Sequence, residues 1–530
     1  MTATVTAQPL EERPADTASW FGVLRGSPAL FGVTVTCLLT YLLRGISEQY
    51  TYQTTGFDLG IFDQAVRAYA HFKAPMVALK GPGYDVLGDH FHPILVTLAP
   101  LYWIWDSPYM LVIAQAFLIA ASIPVVYRFA LRRMSSKLAL LISTIYALGW
   151  PVQALIDFDF HEIAFATPFL AFALDALDRR DDRSLLIWSL LLLTVREDMG
   201  VIVALLGLLR LAGKGAQGKG ASGKRGAGRW LAGHECAVAL VLIGAVAYLV
   251  ITSWIIPHFA SGHQFAYGSQ YDSLGNSVGE ALGNIVRHPL KAAELLVSPD
   301  IKLRTLRYLL VPLAFIPLRS RYSLLVLPLL AERFFNSRSN LWGQHFHYNA
   351  LPWLILVLAM VDGAHRLGLF RPTLWAGRGR KALAIWLVAF PLLLIVDPSP
   401  DGPIPFTKGR DGVLPHIDAH VRAEMAVVKQ IPASTCVEVA NALVPHLTMR
   451  NYVSLANTQN WTADFIALDM SAKDVGGNPP AATPQSVYEE ATTRGYQVVY
   501  RAEALVLLRS SKYSGPTRLC TPLAYGNSLR

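Results

Sequence analysis

The amino-acid sequence predicts an α-helical polytopic membrane protein that ends in a small α/β domain. The chain has 530 residues, of which 53% are hydrophobic and only 16% are charged, whereas a soluble protein carries about a quarter charged residues. Apolar runs long enough to span a bilayer follow one another through roughly the first 400 residues. These runs lack the strict period-2 alternation of membrane strands, so we expect helices rather than a barrel.

About eleven of these runs are predicted to cross the membrane. One long helix over 184–213 would bury Arg196, Glu197 and Asp198 in lipid at high cost, so we predict two short helices with this triplet at their outer turn. The run 92–105 is short and rich in Tyr and Trp, and we interpret it as an interfacial helix, although it can also be read as a span. The predicted spans are 28–45, 108–131, 137–154, 162–177, 184–196, 199–213, 236–256, 303–318, 322–335, 349–365 and 382–397.

The basic residues predict the orientation of these spans. The net charge of +9 would suggest a nucleic-acid partner in a soluble protein, but here Lys and Arg lie in short loops between apolar runs. Such loops face the cytoplasm. A cytoplasmic N-terminal tail, residues 1–27, puts all five basic loops on that side, including the Lys/Arg/Gly linker 214–230. We therefore predict a multi-pass protein of the plasma membrane and no nucleic-acid partner. No cleavage pattern follows the first apolar run, so we interpret that run as an anchor.

The predicted outer segments, 46–107 and 257–302, carry the first candidate site residues. Asp58 and Asp63 could supply a general base for an acceptor hydroxyl, or Asp58 could only cap a helix. The segment 88–93 could bind a metal or a phosphate, or begin the interfacial helix with its ring nitrogens in water. Its candidates are Asp89 and His90.

Three further groups fall on the same predicted face. The hairpin 157–162 has four ionisable groups in six residues, which exceeds what solubility demands and favours a function.

Arg196 suits a phosphate because its planar fork binds bidentately, but with its acidic neighbours it could also be a self-neutralised cluster. The segment 344–348 lacks the i, i+4 spacing of a helical zinc site. The supporting or metal-binding candidates are Asp89, Asp157, Asp159, Glu162, Glu197, Asp198, His345, His347 and Tyr348, and His161 in the same hairpin is a phosphate-binding candidate.

The segment 398–530 is predicted to be an extracytoplasmic α/β domain. Short β-rich runs, among them 452–455 and 464–468, alternate with helical stretches near 415–430 and 485–494. No Gly-rich nucleotide fingerprint accompanies them. Cys436 and Cys520 could form a disulfide outside the cytoplasm, but their spacing does not decide this.

Several of these motifs together resemble a family of membrane proteins catalogued as domain of unknown function 2079. The resemblance covers roughly residues 30–510, and the insertion 214–229 departs from it on the predicted cytoplasmic side. The residues that carry it are Phe57–Gln64, Asp89–Ile94, Ala99–Tyr102, Asp157–Glu162, Arg196–Asp198, His347–Tyr348, Asn441–Leu447 with Arg450, and Tyr500–Arg509.

The layout of this family is similar to that of the GT-C glycosyltransferases, which include protein mannosyltransferases and lipid A aminoarabinose transferases. The resemblance implies a GT-C-like fold with a polyprenyl-phosphate sugar as donor and a cell-envelope acceptor. By position, Asp58 matches the catalytic acid, with Asp63 second. Arg196, with His90 and His161, would bind the donor phosphate, and a divalent metal is a possible cofactor. The alternatives are a transporter or flippase of a lipid-linked or anionic substrate and a non-enzymatic envelope assembly factor.

Overall fold

The structure is a computed structural model that describes residues 20–213, 234–260, 262–271, 274–275, 278–369, 385–386, 416–456, 463–477, 482–515 and 520. Most of the predicted N-terminal tail, the basic linker and nearly all of the span predicted at 382–397 lie outside these residues.

The described part is mostly helical, with one small sheet near the C-terminus. The first helices are α1 (Trp20–Gly26), α2 (Pro28–Tyr50), α3 (Ile61–Ala70), α4 (Ala99–Ile104), α5 (Tyr109–Leu131), α6 (Ser136–Leu148), α7 (Trp150–Ile156), α8 (Ile163–Arg179), α9 (Asp182–Leu192) and α10 (Met199–Ala212). They are followed by α11 (Glu235–Val250), α12 (Ile256–Phe259), α13 (Val278–Arg287), α14 (Pro289–Val297), α15 (Asp300–Leu310), α16 (Val326–Phe335), α17 (Ala350–Arg366), α18 (Ala419–Gln430) and α19 (Pro484–Thr493).

Among the described helices, three are long and apolar enough to cross a membrane. They are α2, α5 and the continuous helix Glu235–Phe259, in which a π turn joins α11 to α12. Helices α6 and α7 make a fourth if their 44° bend belongs to one span. The other predicted spans that lie within the described residues correspond to shorter helices, or to helices continued by 3-10 turns, so the number eleven stays a prediction.

Helices α10 and α11 pack at very short range because glycines face each other. A Cβ on Gly200 would lie 2.7 Å from the carbonyl oxygen of Gly244, and one on Gly207 would lie 2.7 Å from that of Ala237. Small residues of this kind let membrane helices approach backbone to backbone. The preceding turn, between α9 and α10, holds Arg196, Glu197 and Asp198, as the interrupted-helix interpretation predicts.

The segment between α2 and α5 is not a simple loop. A π turn at Gly56–Gly60 leads into α3, and 3-10 turns at Ala78–Lys80 and Val86–Gly88 follow. A 3-10 helix at Pro93–Leu98 then continues into α4, where Trp103 and Ile104 are 61% and 78% exposed. Exposed aromatic and aliphatic side chains on a short helix agree with the interfacial interpretation.

The C-terminal domain is a five-stranded mixed sheet in the order β2-β1-β3-β5-β4. Strand β1 is parallel to β2 and β3, and β5 is antiparallel to β3 and β4. Cys436 and Cys520 are joined by a disulfide. The strands are β1 (Cys436–Val439), β2 (Tyr452–Leu455), β3 (Phe465–Asp469), β4 (Tyr496–Ala502) and β5 (Leu505–Ser510).

The sheet packs directly on the segment between α2 and α5. Ile61, Val77 and Leu79 belong to the same apolar core as residues of β1, β2 and α18. The Gln64 side chain also donates a hydrogen bond of 2.8 Å to the Val453 carbonyl. A separate apolar core fills the helical region from α2 to α17. The C-terminal domain therefore covers one end of the helices.

Acidic and imidazole groups gather at the end of the helices that the C-terminal domain covers, and arginines at the other. Helix α8 follows Glu162 at the first end and carries Asp175 and Asp178 toward the second, where Arg128, Arg132 and Arg133 pair with them. At about 1.5 Å per residue, the stretch of helix from Glu162 to Asp178 is roughly 24 Å long. The arginine end comprises Arg128, Arg132, Arg133, Arg179, Arg180, Arg210, Arg321 and Arg366.

Candidate functional site

The π turn at Gly56–Gly60 presents Asp58, and the C-terminal domain holds this turn in place. The Asn441 side chain accepts a 3.0 Å hydrogen bond from the Phe57 backbone N–H. A Cβ on Gly56 or Gly60 would lie within 2.9 Å of Val444 side-chain atoms, so only glycine lets the turn sit this close to the domain. The Phe57–Asp58 peptide bond is cis.

The Asp58 carboxylate accepts no hydrogen bond and forms no ion pair with the described residues. Its strongest electrostatic interactions are with His161, Glu162 and Lys80. Burial raises the pKa of Asp58, and the positive field of His161 only partly offsets this. A partly desolvated carboxylate without a fixed partner can accept a proton from a substrate.

Asp159 lies beside Asp58 and fixes the backbone before the turn. Its carboxylate accepts the Thr55 backbone N–H at 3.0 Å and the Thr55 hydroxyl at 2.5 Å. Burial raises the pKa of Asp159 to about 7, opposed by the Thr55 hydrogen bond and reinforced by the charge of Asp58. A negative charge on Asp58 therefore makes Asp159 harder to ionise.

Buried polar atoms without hydrogen-bond partners surround this pair. Both ring nitrogens of His347 and Nδ1 of His92 are buried and make no hydrogen bond with the described residues. His161 Nδ1 lies 2.9 Å from Glu162 Oε2, and the His161 ring stacks on His347 at 3.7 Å. Burial lowers the pKa of His347 well below its usual value, so this ring is neutral. Orphaned buried groups are rare in folded proteins, and together they mark a place that a ligand or ordered water fills.

Asp89 and His90 form a second part of the site with residues from distant segments. Lys80 Nζ lies 3.0 Å from Asp89 Oδ2, and the Tyr267 hydroxyl donates to Asp89 Oδ1 at 2.6 Å. His90 Nδ1 lies 2.7 Å from Glu197 Oε1. Burial would lower the pKa of His90, but the Glu197 carboxylate outweighs burial and raises it to about 9. His90 is therefore a cation at neutral pH.

Arg196 is held by its neighbour and retains one unused donor group. Its Nε and Nη2 donate to the two Asp198 oxygens at 2.8 and 2.5 Å. Nη1 makes no hydrogen bond with the described residues. Electrostatic interactions link Arg196 to Glu162, Glu197 and His90. The guanidinium is thus oriented by one carboxylate while its remaining edge can bind an anion.

Most of the predicted site residues therefore form one connected group, which we call the acid–imidazole cluster. Tyr348 joins it through an electrostatic interaction with Asp58. The predicted members are Asp58, Asp89, His90, Asp159, His161, Glu162, Arg196, Glu197, Asp198, His347 and Tyr348.

Three predicted residues lie elsewhere or serve another purpose. Asp63 is fully buried and accepts hydrogen bonds from Arg67 and the Tyr102 hydroxyl at 2.7 Å. Asp157 pairs with the buried Arg44. His345 is exposed and makes no contact with the cluster. A carboxylate that already accepts hydrogen bonds from arginine, or a side chain that lies away from the cluster, does not offer a free polar atom to a substrate.

Sequence reasoning missed Lys80, Tyr267 and Glu332. Glu332 lies in α16, is exposed, and interacts electrostatically with Arg196 and Asp198. An ionisable residue inside an apolar run is itself a signal of function, so Glu332 could have been found. Lys80 and Tyr267 carry no such signal because each is a single polar residue in an irregular segment.

The structure gives no support to a metal centre in its described part, where no group of three or more His, Cys, Asp or Glu side chains is arranged to hold a metal ion. Glu162 and His347 are close to other ligand-type residues, but Arg196 and His90 bring positive charge into the same space. The unused Nη1 of Arg196 offers a donor to an anionic group at this point of the cluster.

Comparison with known proteins places the chain in a family but supplies no activity. No curated protein is detectably similar to it. The sequence model of a family described as "Predicted membrane protein (DUF2079)" matches residues 48–507, which include the acid–imidazole cluster and most of the C-terminal domain. The protein therefore belongs to the DUF2079 family of membrane proteins.

Proposed function

We propose that this protein is a GT-C-like glycosyltransferase that moves a sugar from a polyprenyl-phosphate donor to a cell-envelope acceptor at the outer face of the membrane. The observation that carries the proposal is the Asp58 carboxylate, which lacks a hydrogen-bond partner in the described part of the chain and stands among buried polar groups that also lack one. A site with this many unmet hydrogen bonds is suited to a polar substrate.

Asp58 would act as the general base. The acceptor O–H would give its proton to Asp58 while the acceptor oxygen forms a bond to the anomeric carbon of the sugar. The bond from that carbon to the phosphate oxygen would break, and the polyprenyl phosphate would leave with the electron pair. The raised pKa of Asp58 strengthens it as a base relative to an ordinary aspartate.

Arg196 would stabilise the negative charge that develops on the leaving phosphate. Its orientation by Asp198 is set before the substrate arrives, and its Nη1 is available. The His90 cation lies within electrostatic range of Arg196 and would add to the positive field. Preorganised donors aimed at developing charge are among the largest contributions to catalysis.

Two observations support the assignment to the outer face. The arginines gather at the opposite end of the helices, where the positive-inside rule favours the cytoplasm. Cys436 and Cys520 form a disulfide in the domain that covers the acid–imidazole cluster, and disulfides persist in oxidising compartments.

The test is sugar transfer by the full-length protein in proteoliposomes supplied with radiolabelled polyprenyl-phosphate hexoses and a cell-envelope extract. Asp58→Asn should lower the release of polyprenyl phosphate by about a hundredfold or more, since general-base catalysis is typically worth that factor. The matched control is Asp300→Asn, which makes the same chemical change at an exposed position in a predicted outer segment.

Full activity of Asp58→Asn would overturn the proposal. So would movement of the labelled lipid across the bilayer without any covalent product, because that result identifies a flippase.

A further inference from the structure

A polar cavity of about 210 Å³ lies at the arginine end, far from the acid–imidazole cluster. It opens where the C-terminal ends of α8, α10 and α17 meet the turn that begins at Arg321. Its lining residues are Arg133, Leu177, Asp178, Arg180, Arg210, Gly213, Arg321, Tyr322, Asp362 and Arg366.

The cavity has an excess of positive charge. Five arginines line it against two aspartates. Arg133 pairs with Asp178, and Arg366 pairs with Asp362. Arg210 pairs with Asp182, outside the lining. Each aspartate in the lining is therefore already engaged by a neighbouring guanidinium.

Two of the lining arginines have no carboxylate partner among the described residues. Arg180 is exposed and forms no ion pair. Arg321 donates only to the Leu209 carbonyl, at 3.3 Å, and its buried Nε makes no hydrogen bond. A buried guanidinium N–H without an acceptor is costly, so an acceptor that enters the cavity would stabilise it.

The helix ends that meet here carry partial negative charge, which opposes an anion. An arginine side chain already neutralises part of this charge, because Arg321 donates to the Leu209 carbonyl near the end of α10. The positive charges of the unpaired Arg180 and Arg321 guanidinium groups remain available to a ligand. A volume of 210 Å³ holds about seven waters at roughly 30 Å³ each, which is room for one phosphate group with some water.

We infer that this cavity binds a phosphate group through Arg180 and Arg321. The phosphate could belong to an anionic phospholipid headgroup, because basic pockets between membrane helices bind such groups on the cytoplasmic side, or to a soluble phosphate. The site is separate from the acid–imidazole cluster and does not depend on the glycosyltransferase proposal.

The experiment compares two double variants of the full-length protein in nanodiscs. Arg180→Gln with Arg321→Gln removes the two unpaired arginines of the cavity. Arg183→Gln with Arg319→Gln removes the same charge at the same end, from exposed arginines outside the cavity. Circular dichroism and size-exclusion chromatography report whether each variant is folded. If the cavity variant fails to fold, Arg180→Gln alone takes its place, because Arg180 is exposed and unpaired.

Two probes distinguish the sources of the phosphate. Phosphatidylglycerol in phosphatidylcholine nanodiscs is followed by native mass spectrometry after release. Inorganic phosphate is titrated against protein in phosphatidylcholine alone and followed by the melting temperature. We expect the cavity variant to bind one probe at least about tenfold more weakly than the control variant, which is the effect of one charge-assisted hydrogen bond.

Loss of phosphatidylglycerol retention in the cavity variant alone assigns a lipid headgroup. Loss of the phosphate-dependent melting shift in the cavity variant alone assigns a soluble phosphate. Equal losses in both variants would overturn the inference, because the effect would then come from the general positive charge of this end. Absence of binding to the wild-type protein by both probes would also overturn it.

Discussion

Asp58 and Asp63 are close together in the chain, but their surroundings give them different chemistry. Asp58 has no hydrogen-bond partner among the described residues, while Asp63 is held by Arg67 and Tyr102 in a site from which water is excluded. The motif identified both residues as acids of interest. Only the tertiary contacts separate a carboxylate that can react from one that holds the fold together.

This contrast predicts opposite effects of two identical substitutions. Asp63→Asn should destabilise the protein by about 3–5 kcal/mol, because it leaves the buried Arg67 with only the half-exposed Asp106 as an ionic partner. Asp58→Asn should leave the melting temperature unchanged or slightly higher, since it removes a desolvated charge. Thermal unfolding in detergent measures both. A stable Asp63→Asn protein that has lost sugar transfer would move the catalytic role to Asp63.

His90 and Glu197 predict a pH dependence of stability. The pKa of His90 is about 9 in the folded protein and about 6.5 in the unfolded chain. Its contribution to the free energy of unfolding is therefore complete below pH 6.5 and is lost as pH rises through about 9. The folded pKa of Glu197 is lowered, so its contribution is present above about pH 4.3 and is lost as pH falls below that value.

The melting temperature of the wild-type protein should therefore fall both below about pH 4.3 and toward pH 9, with the pair fully effective between about pH 4.3 and 6.5. Glu197→Gln should remove most of the alkaline part of this dependence, and Glu294→Gln, at an exposed position, should leave it in place. An alkaline profile of Glu197→Gln that matches the wild type would contradict the assigned ion pair.

At the scale of elements, the π turn at Gly56–Gly60 and the 3-10 segment Asn441–His446 act as a unit. Asn441 accepts the Phe57 N–H, Val444 fills the space beside both glycines, and His446 stacks on Tyr52 at 3.5 Å. The C-terminal domain therefore positions Asp58, although none of its described side chains belongs to the acid–imidazole cluster.

Asn441→Leu should lower the turnover number of sugar transfer by at least about tenfold, because loss of the hydrogen bond to Phe57 frees the turn that carries Asp58. The Michaelis constant for the donor should change little, since Asn441 is not placed against the phosphate. Asn441→Asp keeps the acceptor oxygen and should restore most of the activity. Equal activity of the Leu and Asp variants would show that the hydrogen bond does not position Asp58.

The elements differ in how well their sequence predicts them. The strand predictions at 452–455 and 464–468 agree closely with β2 and β3, because short β-branched and aromatic runs between turn residues specify strands locally. The apolar run 137–154 reads as one helix, but the structure bends it at Gly149, where the Trp353 ring occupies the space that a side chain would need. A contact between residues so distant in the chain leaves no local pattern.

At the scale of the whole molecule, the loop charges predicted the main spatial division. Residues from separate predicted loops, such as Arg133, Arg321 and Arg366, do converge on one end of the helices. Long-range pairs such as His90 with Glu197 could not be predicted, because they depend on how the helices pack. The sequence pattern also does not determine the number of crossings, since two apolar helices of the described part, Pro93–Ile104 and Met199–Ala212, have only 10–17 residues.

The separation of the arginine end from the acid–imidazole cluster predicts which side of the membrane each end of the helices occupies. In a background where Cys37 and Cys236 are replaced by Ala and the disulfide remains, Lys473→Cys on the C-terminal domain should react with a membrane-impermeant maleimide in intact cells. Arg183→Cys at the arginine end should react only after permeabilisation. Both positions are exposed, so access and not burial decides the result. The reverse labelling pattern would contradict both the orientation and the proposed site of sugar transfer.

The excess of arginines over aspartates at one end of the helices also has an energetic consequence for insertion. A cell membrane maintains a voltage that is negative inside, and each elementary charge moved across about 100 mV changes the energy by about 2.3 kcal/mol. A molecule with its cationic end toward the cytoplasm lies in the favourable direction of this field. The voltage that energises the membrane would therefore also resist inversion of the protein, in proportion to the number of unpaired charges at each end.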